Sequence, residues 1–172
     1  PVYPNHYGDC TEQQAECLAA PNGAHSEFED LEISTDMLEL VTSYLQGLKP
    51  PHKVEDKQAQ TLFNKTGCAD CHTPKIMLKD GRKIEPYSAF LLHDMGKQLD
   101  DQIAQGDAKS YEWRTQPLWG SKNTTQFLHD GRAQTIAEAV SFHNGEAAQS
   151  RLNFEKLNAA DKQKLIDFIS RL

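Results

Sequence analysis

The sequence predicts an all-α fold with long loops. Apolar residues recur at the three-and-four spacing of an amphipathic helix in several segments, whereas the strict alternation typical of a half-buried strand is almost absent. Glycine and proline interrupt the apolar runs throughout residues 73–134, which indicates a long loop region, and loops of that length are commonly functional or wrapped around a bound group. A length of 172 residues fits one domain, or one domain with a piece of another.

The N-terminal part predicts an irregular segment followed by one helix. Residues 1–30 are rich in proline, glycine, asparagine and acidic residues and show no sustained periodicity. Residues 34–48 have helical periodicity, and Ser34 or Thr35 can cap the first turn. The helix is expected to end at Lys49-Pro50-Pro51, because proline disfavours helical backbone in the residue before it.

The rest of the chain predicts four further helices. Gly67 suits the left-handed C-terminal cap of the first, and Thr135 and Asn158 suit the N-caps of the last two. The predicted ranges are 54–66, a short helix near 98–105, 135–143 and 158–172.

A C-x-x-C-H motif follows Gly67 and is the strongest chemical signal in the chain. In Cys68-Ala69-Asp70-Cys71-His72 two thiols lie at the spacing that adds to the two vinyl groups of a porphyrin, and His72 then becomes the proximal iron ligand. A structural zinc site needs a second metal-binding pair, and a thioredoxin-like dithiol needs a βαβ context; neither is visible. The motif therefore predicts one covalently bound haem c in a class I cytochrome c-like domain of residues 50–172.

The sixth iron ligand is left open by the residues alone. Met95 and His93 share a loop that could cover the haem, and methionine commonly partners histidine in cytochromes c. His143 lies on the apolar face of the predicted 135–143 helix, so its imidazole is aimed inward. Met77 stands too close to His72 to reach the opposite haem face easily, and His129 is a further candidate.

Arginine and tryptophan side chains are candidates for the haem periphery. Arg114 is expected to hold a haem propionate, since a guanidinium fork suits a carboxylate, and Trp119 or Trp113 is expected near the ring edge. Arg132 is a second candidate for the propionates. The alternative for each arginine is a solvent-exposed surface position without a haem propionate.

The helix at 34–48 resembles the closing helix at 158–172, because both are capped and amphipathic with an apolar-aromatic centre. A small cytochrome domain typically closes with such a helix. We therefore expect residues 1–49 to be the tail of a truncated preceding cytochrome-like domain. Two unrelated amphipathic helices are the alternative.

The net charge and the cysteines indicate which partners and which compartment to expect. A formal net charge of −7 disfavours nucleic-acid binding; it fits simple solubility, and would also suit a basic redox partner. No apolar run approaches the roughly 20 residues of a membrane span. Covalent haem attachment in bacteria normally takes place on the periplasmic side, so we expect a periplasmic protein in which Cys10 and Cys17 form a disulfide.

Five segments together resemble the bacterial di-haem oxidoreductase family, often labelled thiol oxidoreductase. That family is related to the di-haem cytochrome c peroxidases and to the methylamine-utilisation di-haem enzyme. The resemblance extends over essentially the whole chain. The segments, in chain order, are Gly67-Cys68-Ala69-Asp70-Cys71-His72, Leu91-Leu92-His93-Asp94-Met95-Gly96, residues 113–120 (WRTQPLWG), residues 127–133 (FLHDGRA) and Phe142-His143-Asn144-Gly145-Glu146-Ala147.

The resemblance implies ligands and a function. His143 stands fourteen residues after His129, where the relatives place the sixth ligand of this haem, a methionine or a tyrosine. Met95 then becomes a loop residue near the haem or a fallback ligand, and His129 is expected to line the site. With His72 and His143 as ligands the iron has no vacant position, so this domain would relay electrons to a catalytic N-terminal haem absent from this chain.

Two other interpretations are consistent with the sequence. The chain could be a stand-alone electron-carrier cytochrome c, or a haem-free interaction module. In the favoured interpretation the chain is part of a peroxidase-like enzyme. By itself it only transfers electrons to the N-terminal haem domain or to a redox partner protein.

Overall fold

The computed structural model describes residues 14–21, 26–28, 31–50 and 55–172. They divide between two compact units, one drawn from residues 1–49 and 103–109 and the other from 50–102 and 110–172. Helices make up 46% of the described residues, and small two-stranded sheets accompany them. The all-α prediction is thus right about the helices and wrong about the strands, and the fold is mixed.

The first unit contains the helices α1, Ala15–Ala19, and α2, Thr35–Gly47. Ser34 caps α2, with its hydroxyl accepting from the backbone N–H of Met37 at 3.3 Å, as its sequence indicated. Cys17 is disulfide-bonded, whereas Cys10 lies outside the described residues. That residues 1–49 are the tail of a preceding domain stays a prediction, and this unit also takes in 103–109.

The second unit has its core between α3, Lys57–Thr66, and α7, Ala159–Ile169. Three aromatic rings, of Phe63, Tyr87 and Phe168, meet edge to face with centroids 5.6–5.9 Å apart. A fourth aromatic residue and four aliphatic ones complete the buried cluster: Phe154, Ala59, Leu165, Ile169 and Leu172.

Local capping explains where α3 ends and the next helix begins. The Asp56 carboxylate accepts from the backbone N–H of Ala59 at 2.9 Å at the start of α3. Gly67 ends α3 with φ +90°, where its missing side chain leaves room for the Ser150 hydroxyl. The one-turn helix α4, Cys68–Cys71, follows directly.

The long loop region contains two antiparallel hairpins that the sequence did not indicate. The strands β1, Ile76–Met77, and β2, Lys83–Ile84, form the first. The second pairs β3, Leu92–Asp94, with β4, Glu112–Arg114, so that His93 stands opposite Trp113. The helix expected near 98–105 is only a 3₁₀ turn at Lys97–Leu99.

Three helices close the second unit. Thr135 and Glu138 form a capping box at the start of α5, Ile136–Ser141, and Asn158 caps α7 through the backbone N–H of Asp161. Between them lies α6, Ala148–Glu155, which was not predicted. Among the described residues, no helix is both long enough and apolar enough to cross a bilayer.

Candidate functional site: a haem-binding centre

The two thiols of the motif are carried by α4. Cys68 and Cys71 are free and partly buried, one helical turn apart. Burial raises the pKa of the Cys68 thiol to about 12 and also raises the pKa of Cys71.

His72 is oriented by a backbone carbonyl. Its Nδ1 lies 3.0 Å from the carbonyl oxygen of Tyr87, and because a carbonyl only accepts, Nδ1 carries the proton and donates it. Burial is the main cause that lowers the pKa of His72 to about 4, so the imidazole is neutral. With the proton on Nδ1 the lone pair lies on Nε2, which is the tautomer usual in a ligating histidine.

The carbonyl that orients His72 belongs to a strained residue. Tyr87 has φ +53°, an unusual left-handed conformation for a bulky side chain. Its ring is buried in the aromatic cluster, and its hydroxyl donates to the Gln60 side-chain oxygen at 2.6 Å. Burial and this hydrogen bond together hold a conformation that costs free energy by itself.

The segment around Tyr87 runs beside the C-x-x-C-H motif and is held on both sides. On one side the backbone N–H of Ala89 donates to the Cys71 carbonyl at 2.8 Å. On the other, the Ser88 hydroxyl donates to the Thr115 carbonyl at 2.7 Å, and the backbone N–H of Leu118 donates to the Pro86 carbonyl at 3.0 Å. The 113–120 motif thus supports the carbonyl that orients His72.

His143 follows the end of α5 and has the same hydrogen-bonding pattern as His72. Its Nδ1 donates to the Ala139 carbonyl at 2.8 Å, which leaves Nε2 as the lone-pair nitrogen. Burial lowers the pKa of His143, and the proximity of His143 contributes to the lowered pKa of His72.

His93 on β3 is a third histidine at this site. Its Nδ1 lies 2.8 Å from the Glu146 carboxylate, whose other oxygen accepts from the backbone N–H of Asp94 at 3.1 Å. Its Nε2 is buried and, within the described part of the chain, is the one buried side-chain nitrogen or oxygen with no hydrogen-bonding partner. His93 also contributes to lowering the pKa of His72.

Two glycines allow the β3 loop to lie against the turn after His143. Gly145 has φ +53°, and a Cβ there would stand 2.2 Å from the Asp94 carbonyl oxygen. Gly96 has φ +80°, and a Cβ there would stand 2.9 Å from Cβ of Asn144. These backbone approaches, which only glycine permits, explain why two separate sequence motifs form one site.

We expect Gly145→Ala to destabilise the second unit by about 2–4 kcal/mol. About 1 kcal/mol comes from the left-handed backbone and the rest from overlap with the Asp94 carbonyl. Gly81→Ala is the matched control, since Gly81 also has positive φ (+83°) but has nothing within 4 Å of an added Cβ. Denaturant unfolding measures both, and equal losses for the two variants would contradict the close approach.

The remaining predicted residues lie around this centre. His129 stacks on Trp113 with ring centroids 3.7 Å apart, and the Trp113 indole N–H donates to the Leu99 carbonyl at 2.8 Å. Met95 is partly buried, and its backbone N–H donates to the Tyr111 carbonyl at 3.0 Å. Met77 is 66% exposed.

The peripheral side chains lie in different surroundings. Arg114 is exposed, with its guanidinium 5.8 Å from the centroid of the Phe90 ring. Arg132 is ion-paired to Asp130. Trp119 lines a cleft of about 230 Å³ together with Pro50, Lys83, Ile84, Glu85, Tyr87 and Leu172. That Arg114 holds a propionate stays a prediction.

Two residues of the site were not singled out from the sequence. Tyr87 acts through its carbonyl, for which a sequence has no signal. Glu146 lies within the motif that carries His143, but its partner His93 is 53 residues away.

The residues present fit a haem. Two thiols one turn apart, a neutral His72 with its proton held on Nδ1, and the unpartnered Nε2 of His93 are groups that could hold an iron porphyrin. Searches of curated proteins and of solved structures found no match. A family model described as "Di-haem oxidoreductase, putative peroxidase" matches residues 31–172.

Proposed function

Because the chain belongs to the di-haem oxidoreductase family, we propose that it binds one haem c covalently and relays electrons through it. Membership of this family implies that the chain binds haem and has a redox role. In this proposal Cys68 and Cys71 attach the haem covalently and His72 is its proximal iron ligand. When bound, the haem supplies an iron that changes oxidation state by one electron.

One observation carries the relay function. In His72 and in His143, a backbone carbonyl accepts a hydrogen bond from Nδ1, so the lone pair of each ring lies on Nε2. A carbonyl partner fixes the tautomer and the ring plane, so little of either imidazole has to reorganise to bind iron. With both positions filled, peroxide has no coordination site on this iron. The domain is then suited to passing electrons and unsuited to reducing peroxide.

The catalytic step is proposed to take place at a second haem, bound outside residues 50–172. The chain contains one C-x-x-C-H motif, whereas the family is described as di-haem. By this proposal the present domain receives electrons from a redox partner and delivers them to that haem. Disulfide bonding of Cys17 supports the proposed periplasmic location, since disulfides persist in oxidising compartments.

The test is the reaction of the reduced, haem-loaded chain with carbon monoxide. We expect its absorption spectrum to stay unchanged, because carbon monoxide needs a vacant or easily vacated iron position, while soluble electron acceptors still oxidise it rapidly. Acid-unfolded protein, in which the distal ligand is lost, is the positive control. Ready carbon monoxide binding by the folded protein, together with peroxide turnover, would show that this haem is itself the catalytic one.

A further inference from the structure

The third histidine at the site, His93, has the features of an iron ligand. His93 has one ring nitrogen held by the Glu146 carboxylate and the other buried without a partner. Burying a polar nitrogen with no hydrogen bond costs free energy, so such an atom calls for a binding partner. A carboxylate on the far nitrogen is the common outer partner of a metal-binding histidine, where it fixes the ring and raises its basicity.

We propose that His93, oriented by Glu146, competes with His143 for the sixth coordination position of the haem iron. This inference rests on the proposed function, since it requires a haem whose proximal ligand is His72. His93 and His143 then form two alternative closed states of the same iron. Exchange between them changes the outer partner of the distal imidazole from the Ala139 carbonyl to the Glu146 carboxylate.

The backbone brings together the two segments that carry His93 and His143. Asp94, next to His93, lies against Gly145, two residues after His143, so closely that no side chain fits between them. Glu146 binds both the His93 ring and the Asp94 backbone, and so fixes the β3 loop to the turn that follows His143.

The difference in outer partners gives the exchange a chemical consequence. A carboxylate makes an imidazole a stronger electron donor to iron than a neutral carbonyl does, which stabilises the oxidised form. The His93-bound state is therefore expected to have the lower reduction potential of the two. Met95 is not required in either state.

The experiment compares the spin state of the oxidised iron in haem-loaded variants by absorption and electron paramagnetic resonance. His143→Ala is expected to stay low-spin, because His93 takes the vacant position. His143→Ala/His93→Ala is expected to be high-spin and to bind added imidazole, whereas the control His143→Ala/Met95→Leu stays low-spin. A high-spin iron in His143→Ala alone would overturn the proposal.

Two further variants separate ligation from folding. His93→Gln can still donate to Glu146, so His143→Ala/His93→Gln should unfold at the same temperature as His143→Ala yet be high-spin. Glu146→Gln in the His143→Ala background should shift part of the iron to high spin, because His93 loses its anionic partner. A fully low-spin iron in His143→Ala/His93→Gln would refute ligation by His93. Failure of the proposed function would show differently, as wild-type protein without covalent haem or with a high-spin iron.

Discussion

Replacing both Cys68 and Cys71 with alanine is expected to abolish covalent haem attachment completely. Each thiol forms one thioether bond to the porphyrin, and without either sulfur the haem is held only by its iron ligands and by packing. The measurement is extraction with acidified acetone, which removes non-covalent haem and leaves thioether-bound haem on the protein. Wild-type protein should keep its colour and the double variant should lose it.

The matched control for this experiment lies within the same motif. Asp70→Ala changes an exposed residue between the two cysteines and leaves both thiols in place, so it should retain covalent haem. Each single cysteine variant should retain haem through the remaining thioether bond. Colour that leaves wild-type protein with the solvent would contradict the assignment of Cys68 and Cys71.

Replacing Phe63 with alanine is expected to cost about 3–5 kcal/mol of stability, because it removes a fully buried ring from the aromatic cluster. Phe63 meets both Tyr87 and Phe168 edge to face. The whole free energy of unfolding of a domain is about 5–15 kcal/mol, so this loss is a large fraction of it. Tyr87 would also lose support, and its carbonyl orients His72.

Denaturant unfolding of the haem-loaded protein measures the loss. Leu40→Ala is the control, because Leu40 on α2 is 68% exposed and its truncation should change stability by no more than about 0.5 kcal/mol. The low-spin absorption spectrum of Phe63→Ala, followed with denaturant, should disappear at a lower concentration than in wild type. Equal midpoints for Phe63→Ala and Leu40→Ala would contradict the described core.

The helix ends were predictable from the sequence because their signals are local. Ser34, Thr135 and Asn158 each cap a helix through a backbone N–H a few residues away, and Gly67 supplies the left-handed cap by itself. The strands β3 and β4 were missed because each has three residues, and they pair across a long connection. The helix α6 is mostly polar and has little periodicity to reveal it.

The part of the site that depends on the spacing of residues along the chain was predictable from the sequence. The part that depends on tertiary contacts was not. Cys68, Cys71 and His72 follow from one short motif. The carbonyl that orients His72 comes from Tyr87, 15 residues further on, in a backbone conformation that no sequence pattern announces. Periodicity predicted His143 on the inward face of a 135–143 helix, but that helix ends at Ser141 and His143 follows it. Only the folded chain brings Glu146 to His93.

The spectrum of the oxidised wild-type protein tests the account most directly, since it reports both iron ligands at once. We predict a low-spin iron with two imidazole ligands, without the far-red absorption band that methionine ligation produces, and with no change in Met95→Leu. A far-red band that disappears in Met95→Leu would make Met95 the sixth ligand. A high-spin iron in wild type would mean an open haem, and either result would contradict a closed bis-histidine relay.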